Sequence, residues 1–402
     1  MRISEDRLLD LLVDTSERMA VFAPLEEDGL VLLSPFTKDR AASWARPDSY
    51  VNTDNTPKDV LMPQTEPYLR FEGDGRRMAV SEVAVGPLRQ TFVFGVRPCD
   101  VRAVELLDRV LIEGQFRDEM YARRRAGTLI AAVACSKPGP ECFCGTMGIS
   151  HLGPAVQMTE TKEVDTPSGR QGGVSPENPG CDLIFYPALR GEAGDRAGTG
   201  AGGGCSDTAA TNTQFIVVSI TERGDNFLRE NGGYFEASGP DDLDATVRRL
   251  KDTFSEDGPS SVTDGLSLDG LVPYLAGQFD NPYWAFVSRR CHSCGACTYV
   301  CPTCYCFAVV DAARIDRGVR SRCWDSCQFQ EFLLMAAGHN PRPTKKERVR
   351  QRFLHKLQYY PEKYGDYMCV GCGRCVKKCP VGLHMTQVIY DLGCIREGVR
   401  VK

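Results

Sequence analysis

Near the C-terminus two cysteine runs, Cys291–Cys301 and Cys369–Cys379, each read C-x2-C-x2-C-x3-C and are followed at once by Pro302 and Pro380. Three thiolates at this spacing wrap one [4Fe–4S] cubane in a tight loop, and the fourth faces away to complete a cubane held by another run. The pattern assigns Cys291, Cys294, Cys297 and Cys379 to one cluster, and Cys369, Cys372, Cys375 and Cys301 to a second. A pair of zinc sites is the competing reading, but zinc needs only four ligands and does not explain eight in this register. Crossed ligation forces the two runs together in space and so constrains everything between them.

The 67 residues between Cys301 and Cys369 are too many for the short ββα unit of a small bacterial-type ferredoxin. Helical patterning predicts helices over Phe307–Ile315, Gln328–Ala337 and Lys345–Tyr359, broken at Asn340–Pro341–Arg342–Pro343. The expectation is an all-helical two-cluster ferredoxin domain over residues 284–402. Each proline redirects the chain as the next helix begins. Gly295, Gly371 and Gly373 are expected to let the backbone close around inorganic sulfide.

Residues 1–235 alternate strand-like and helix-like patterns, so the fold class is α+β, with an N-terminal α/β domain ahead of the helical one. An amphipathic helix at Ser4–Val13 precedes strands at Met19–Ala23 and Leu30–Leu33, joined through an Asp28–Gly29 turn, a strong hairpin signal. Thr91–Val96 (TFVFGV) and Thr128–Ala134 (TLIAAVA) are continuous apolar runs of the kind buried in a parallel sheet. Between them Val101–Ile112 has helical periodicity, which makes a βαβ unit. A further strand is expected at Gln214–Ile220. The Gly/Ala/Thr-rich stretch Gly191–Thr213 lacks the strand-to-helix context of a dinucleotide loop and reads as a mobile surface insertion. Residues 236–283 read as a helical connector containing an amphipathic helix at 241–254.

A second group of cysteines belongs to the βαβ unit. Cys99, in Arg97–Pro98–Cys99–Asp100, follows the first strand, and Asp100 is placed to N-cap the next helix. Cys135 follows the second strand, and Cys142 and Cys144 follow in CSKPGPECFC. Parallel strands deliver their C-terminal ends to one sheet edge, so these four thiols should converge there and could ligate a third [4Fe–4S] cluster. Inert buried thiols or one zinc are the other readings. Cys304 and Cys306 lie just past the first run, and Cys323 and Cys327, in RCWDSC, read as i, i+4 neighbours on one helix face. They suit either a further cluster or the packing of small apolar side chains. Cys181, Cys205 and Cys394 have no partner suggested by spacing.

Nineteen cysteines with no secretory leader read as metal ligands in a reducing cytosol, not as disulfides. The net charge of −5 gives no reason to expect nucleic acid. The longest apolar run, Leu129–Cys135, is far short of a membrane span, so membrane contact would have to come through a partner. Arg289, Arg290, Arg374, Lys377 and Lys378 flank the runs, and Arg342–Arg352 (RPTKKERVRQR) is more basic still, as a solvated helix face or a docking surface. Cations near an anionic cluster raise its potential. His292 and His384 are expected to hydrogen-bond near the clusters without ligating them, since cysteine fills every position.

The segments GVRPCD, CFCG, CHSCGACTYVCPTCYCF, RCWDSC, GHNPRPTKKERVRQRFLHK and CVGCGRCVKKCPVG resemble the iron–sulfur beta subunits of cytoplasmic sulfhydrogenases. They also resemble the related iron–sulfur subunit of anaerobic sulfite reductase and equivalent subunits of heterodisulfide-reductase-linked complexes. The resemblance implies three clusters in one component of a cytoplasmic anaerobic complex. Such a component passes electrons between a flavin- and NAD(P)-binding partner and a terminal catalytic subunit. The motifs lend no support to a catalytic role: no sirohaem C-x5-C…C-x3-C, no paired terminal C-x2-C of a nickel–iron centre, no adjacent Cys–Cys. A redox sensor would bring a DNA-binding segment, and none is visible. Some relatives of such subunits bind a flavin or deazaflavin, which leaves that site as an alternative for the N-terminal domain.

Overall fold

The computed structural model describes residues 1–73, 77–83, 90–154, 179–188, 213–256, 263 and 265–401. The Gly191–Thr213 stretch, apart from Thr213, lies outside the described residues.

A first sheet takes strands β1 (Arg2–Ser4), β2 (Ala20–Glu27) and β3 (Leu30–Phe36). A second takes β4 (Thr65–Gly73) and β5 (Met78–Glu82). The first sheet continues with β6 (Thr91–Val96), β7 (Thr128–Val133), β8 (Leu183–Ala188) and β9 (Gln214–Ser219). Its order is β1-β9-β8-β7-β6-β2-β3, and its central strands β2, β6, β7 and β8 run parallel. The hairpin β2–β3 turns at Asp28 (φ 50°) and Gly29 (φ 76°), the left-handed pair that a two-residue turn of this kind requires.

Helix α1 (Glu5–Arg18) follows β1, and Ser4 Oγ accepts the Arg7 N–H at its start. Helices α2 (Pro98–Leu111) and α3 (Glu119–Gly127) fill the crossover from β6 to β7. Helices α4 (Glu222–Glu230) and α5 (Pro240–Glu256) follow β9. The alternating strand residues divide between two cores. Val93, Val96, Ile130, Ala132, Ile184 and Tyr186 pack with Val104, Leu107 and Leu111 of α2 and Leu250 of α5. Phe92, Phe94, Ala131, Val133 and Phe185 pack on the other face with Leu8, Leu11 and Leu12 of α1 and Phe227 of α4. Burial on both faces is why β6 and β7 read as unbroken apolar runs.

After α5 come the helices α6 (Leu271–Ala276) and α7 (Tyr283–Ser288), then the first cysteine run. The all-helical expectation for residues 284–402 fails here. Phe307–Ala313 is a strand, β10, paired antiparallel with β11 (Arg317–Trp324). Strand β11 pairs in turn with β4, which gives a second sheet in the order β10-β11-β4-β5. Gln328–Ala337 holds turns and a single 3-10 turn at Glu331–Leu333. Helix α8 (Lys345–Leu354) does form, with Glu347 Oε2 accepting the Thr344 N–H at 3.0 Å. It then widens into a π turn over His355–Tyr359. Helix α9 (Met385–Arg396) follows the second run and packs with α7 and α8 around Trp284, Phe353 and Leu357.

Ion pairs hold the second sheet together and anchor it to α3. Buried Arg322 of β11 bonds Glu66 Oε2 of β4 at 2.6 Å and also meets Asp118 at the start of α3. Trp324 Nε1 donates to Met62 O at 2.8 Å, and Lys58 Nζ lies 3.6 Å above the Trp324 ring.

Candidate metal centres

Three small cavities are walled by cysteines, four in each of the first two and five in the third. Cys291, Cys294, Cys297 and Cys379 line the first, together with Gln328, Arg352 and Phe353. Cys301, Cys369, Cys372 and Cys375 line the second, with Arg352, Lys356 and Met385. Cys99, Cys135, Cys142 and Cys144 line the third, with Arg97 and His151. The structure thus brings together the two quartets expected from spacing and the one expected at the sheet edge. Among the described residues no group of three or more His, Cys, Asp or Glu side chains is arranged to hold a single metal ion. The thiols stand around the walls of cavities.

The cavities adjoin. Arg352 belongs to the walls of the first and second, and Cys372 to those of the second and third. Cys294 is exposed, so the first cavity lies at the surface, whereas Cys99 and Cys372 are buried.

Local sequence explains the third cavity. β6 and β7 run parallel and adjacent, and Cys99 and Cys135 sit just past their C-terminal ends. Arg97 fixes that edge: its guanidinium donates to Val51 O (2.7 Å), Tyr50 O (2.6 Å) and Ala134 O (3.3 Å). Asp100 was expected to cap α2, but the helix begins earlier, at Pro98. Asp100 therefore sits in its first turn, accepts the Arg97 N–H and turns its carboxylate to Arg374. Arg374 Nη1 and Nη2 meet Asp100 at 2.6 and 2.9 Å, and Nε donates to Thr53 O at 2.7 Å, all buried. This pair ties the second cysteine run to the helix turn carrying Cys99.

Gly371 also serves a contact that spacing does not show. Its φ is +60°, and a Cβ there would fall 2.5 Å from Phe143 C and Cys144 N. The glycine lets the second run lie directly on the CFC loop, where Phe143 N–H donates to Gly371 O at 2.9 Å. Close approach of two cavities is what it provides.

The electrostatics suit a group that shares the charge of several thiolates. Burial pushes the Cys135 thiol up to about 11, and Cys144, Cys297 and Cys369 up to about 12. Cys99 is likewise raised by burial. Ionising four such thiols at one place is unfavourable unless iron shares the charge. Lys356 is buried, and what faces it is Thr303 Oγ1 at 2.7 Å, Met368 O at 3.4 Å and the thiols of Cys301, Cys304 and Cys369. Burial lowers the pKa of this lysine, yet those sulfurs raise it further than burial lowers it. Arg352 is buried too, its Nε without a hydrogen-bond partner among the described residues, amid Cys297, Cys375, Cys304 and Cys301. A buried cation needs a counter-charge, and an anionic cluster in either cavity would supply it. The residues present fit [4Fe–4S] cubanes.

Sequence reasoning missed both cations. It treated Arg342–Arg352 as a solvated face or a docking surface, but Arg348, Arg350 and Arg352 are buried. Arg348 Nε donates to Gln328 O at 3.0 Å, and Arg350 Nη1 to Phe279 O at 2.9 Å. The cue was Val349 and Phe353, which place that turn of helix against the core. His384 Nδ1 contacts Thr386 Oγ1 at 2.9 Å, and exposed His292 lines the first cavity. Cys323 and Cys327 do not share a helix face: Cys323 lies in β11 and Cys327 in the turn after it.

Comparison with known proteins agrees with this geometry. Residues 290–383 match the family described as a 4Fe-4S dicluster domain. The chain is 29% identical over 308 residues to the sulfhydrogenase 2 subunit beta of Pyrococcus furiosus, covering 76% of this chain and 74% of that one. The resemblance to sulfhydrogenase beta subunits therefore extends across three quarters of the chain. Both findings support an iron–sulfur electron-transfer role. No helix among the described residues is long and apolar enough to cross a membrane.

Proposed function

We propose that this chain is a three-cluster electron relay, with Cys291, Cys294, Cys297 and Cys379 holding one [4Fe–4S] cluster. Cys369, Cys372, Cys375 and Cys301 hold the second, and Cys99, Cys135, Cys142 and Cys144 the third. The observation that carries the reading is the row of three adjoining cysteine-walled cavities, ending at exposed Cys294. Bound cubanes supply one-electron carriers. The chain's own residues orient the thiols, exclude water and place Arg352 and Lys356 where negative charge accumulates.

The relay serves a hetero-oligomeric oxidoreductase. One partner binds flavin and NAD(P), and another carries the terminal catalytic centre of a hydrogenase, sulfite reductase or heterodisulfide reductase. The sulfhydrogenase relative supports the hydrogenase type. Purified anaerobically, the chain should hold about twelve iron atoms, four per cluster. It should accept electrons from a low-potential donor and reduce no sulfite, sulfur or protons by itself. Serine at Cys99, Cys135, Cys142 and Cys144 should remove about four of those irons. Unchanged iron would overturn the third cluster, and substantial turnover by the isolated chain would overturn the relay.

One observation favours a second reading, in which the chain itself binds a flavin or deazaflavin. A cavity of about 630 Å³ lies between α2 and the segment 266–273, with Cys369 in its wall. That volume falls in the range of organic-cofactor sites. A flavin absorption band in the isolated chain would establish it.

A further inference from the structure

Four thiols near the second cavity are not needed by the three clusters: Cys304, Cys306, Cys323 and Cys327. Two of them are neighbours. The Cys306 and Cys327 thiols lie close enough that each shifts the other's titration, Cys306 upward and Cys327 downward. Their backbones are held by the open end of the β10–β11 hairpin, where Phe307 pairs with Trp324 and Asp325 N–H donates to Cys306 O at 3.0 Å. Gln328 Nε2 reaches the Cys327 sulfur at 3.5 Å. On the other side Cys304 lies beside Cys301, a ligand of the proposed second cluster, and each shifts the other's titration. Cys304 also lies close enough to Cys306 to feel its charge. Sulfurs that ligate one cubane are held apart by it, whereas two neighbouring thiols on backbones held this close can be joined by a bond.

We propose that Cys306 and Cys327 form a reversible dithiol–disulfide couple, a two-electron store beside the second cluster. Reduction breaks the Cys306–Cys327 S–S bond with two electrons, delivered singly by the chain's own reduced clusters. Two protons from solvent complete two thiols, or one proton leaves Cys327 as thiolate. Oxidation returns both electrons, one at a time, to the clusters and re-forms the bond. The site suits this use. Exchange and redox chemistry need a thiolate, and the neighbouring Cys306 thiol, with Gln328, Arg352 and Lys356 nearby, holds Cys327 down at about 6. Both thiols are half-buried, out of reach of bulky oxidants yet open to protons. The first electron makes a disulfide radical anion and the second, with the protons, completes the two thiols, so the pair would let one-electron carriers serve a two-electron partner.

The inference rests on the relay reading only for the source of electrons, and the two are tested separately. Anaerobically purified full-length chain, its iron measured, is equilibrated in dithiothreitol redox buffers, quenched in acid, alkylated and analysed by mass spectrometry. A second sample, oxidised first, is treated with titanium(III) citrate, a one-electron donor. The expected result is a linked Cys306–Cys327 peptide in the oxidised sample. Labelling of both thiols should rise together by at least about tenfold on reduction, in a two-electron transition. Cys306→Ser and Cys327→Ser should abolish the linked peptide and keep the wild-type iron content, and Cys323→Ser should change neither. Independent labelling of the two thiols at every potential overturns the couple. Loss of about four irons in Cys306→Ser or Cys327→Ser also overturns it, by making these thiols cluster ligands. Wild-type chain without iron would sink the relay reading while leaving the labelling result readable.

Discussion

Replacing Lys356 by methionine removes one buried positive charge and keeps most of the side-chain volume. The lysine Nζ lies 2.7 Å from Thr303 Oγ1, which lies 3.3 Å from Cys301 Sγ, so ammonium and sulfur are at most 6.0 Å apart. At an effective dielectric near 20, two unit charges about 6 Å apart interact by roughly 3 kcal/mol. An electron added to a cluster held by Cys301 gains most of that attraction, and spreading over the cubane reduces it. About 1.4 kcal/mol corresponds to 59 mV for a one-electron couple, so Lys356→Met should lower the potential of that cluster by roughly 60–120 mV. The assay is an anaerobic redox titration followed by electron paramagnetic resonance, with iron per chain shown equal in both proteins. The third cluster, farther along the row, should shift by less than half as much. A shift below about 30 mV, an upward shift or an equal shift in all clusters would refute the assignment of Lys356 as the counter-charge of the second cluster.

Gly371→Ala places a Cβ against the Phe143–Cys144 backbone at a positive φ, and should cost more than about 2 kcal/mol. Gly145→Ala, with nothing within 4 Å, should shift the anaerobic thermal midpoint negligibly, and equal effects would remove the contact argument. Arg374→Met strands the buried Asp100 carboxylate and should destabilise by about 3–5 kcal/mol, while Asp100→Leu added to it should restore most of the loss. Additive losses in that double-mutant cycle would contradict a coupled pair. His355 is held down at about 4 by burial, with help from the Lys356 and Arg342 charges, so it stays neutral in the native chain while the unfolded chain takes up a proton near pH 6.5. Stability should therefore fall as pH drops from 6.5 to 4, by at most about 3 kcal/mol, and the thermal midpoint of His355→Gln should fall less across that window. Parallel profiles for the two proteins would remove His355 as a contributor.

Much of the centre was legible because it is local. Cysteine spacing specifies a loop geometry within a few residues, and the Asp28–Gly29 turn and the two apolar runs around Val101–Ile112 specify hairpin and βαβ unit in the same way. The second sheet was not legible, because its key pairing joins residues about 250 positions apart, Cys323 with Thr65 and Arg317 with Glu72. Phe307–Ala313 also hides its nature. As an outer strand it is exposed along nearly its whole length, so the inside–outside alternation of a half-buried strand is missing and Phe-Ala-Val-Val reads equally well as helix. The local hint was Asp316–Arg317–Gly318 ahead of β-branched Val319, a turn opening a strand. Lys356 and Arg352 escaped for another reason: a basic residue reads as surface until the thiols that need it are placed in three dimensions.

The pairing of β11 with β4 bears on how such a chain can be taken apart. A cut in the segment before Trp284 would appear to free a compact two-cluster ferredoxin, since all eight cysteines of the two runs lie beyond it. The freed piece would keep β10 and β11 but leave β4 behind, baring a row of backbone donors and acceptors, and Arg322 would lose both carboxylates. An open edge of this kind recruits other chains. The C-terminal segment is therefore better described as one strand of a braid than as a bead on a string, and a fusion meant to borrow its clusters has to carry residues 65–82 with it.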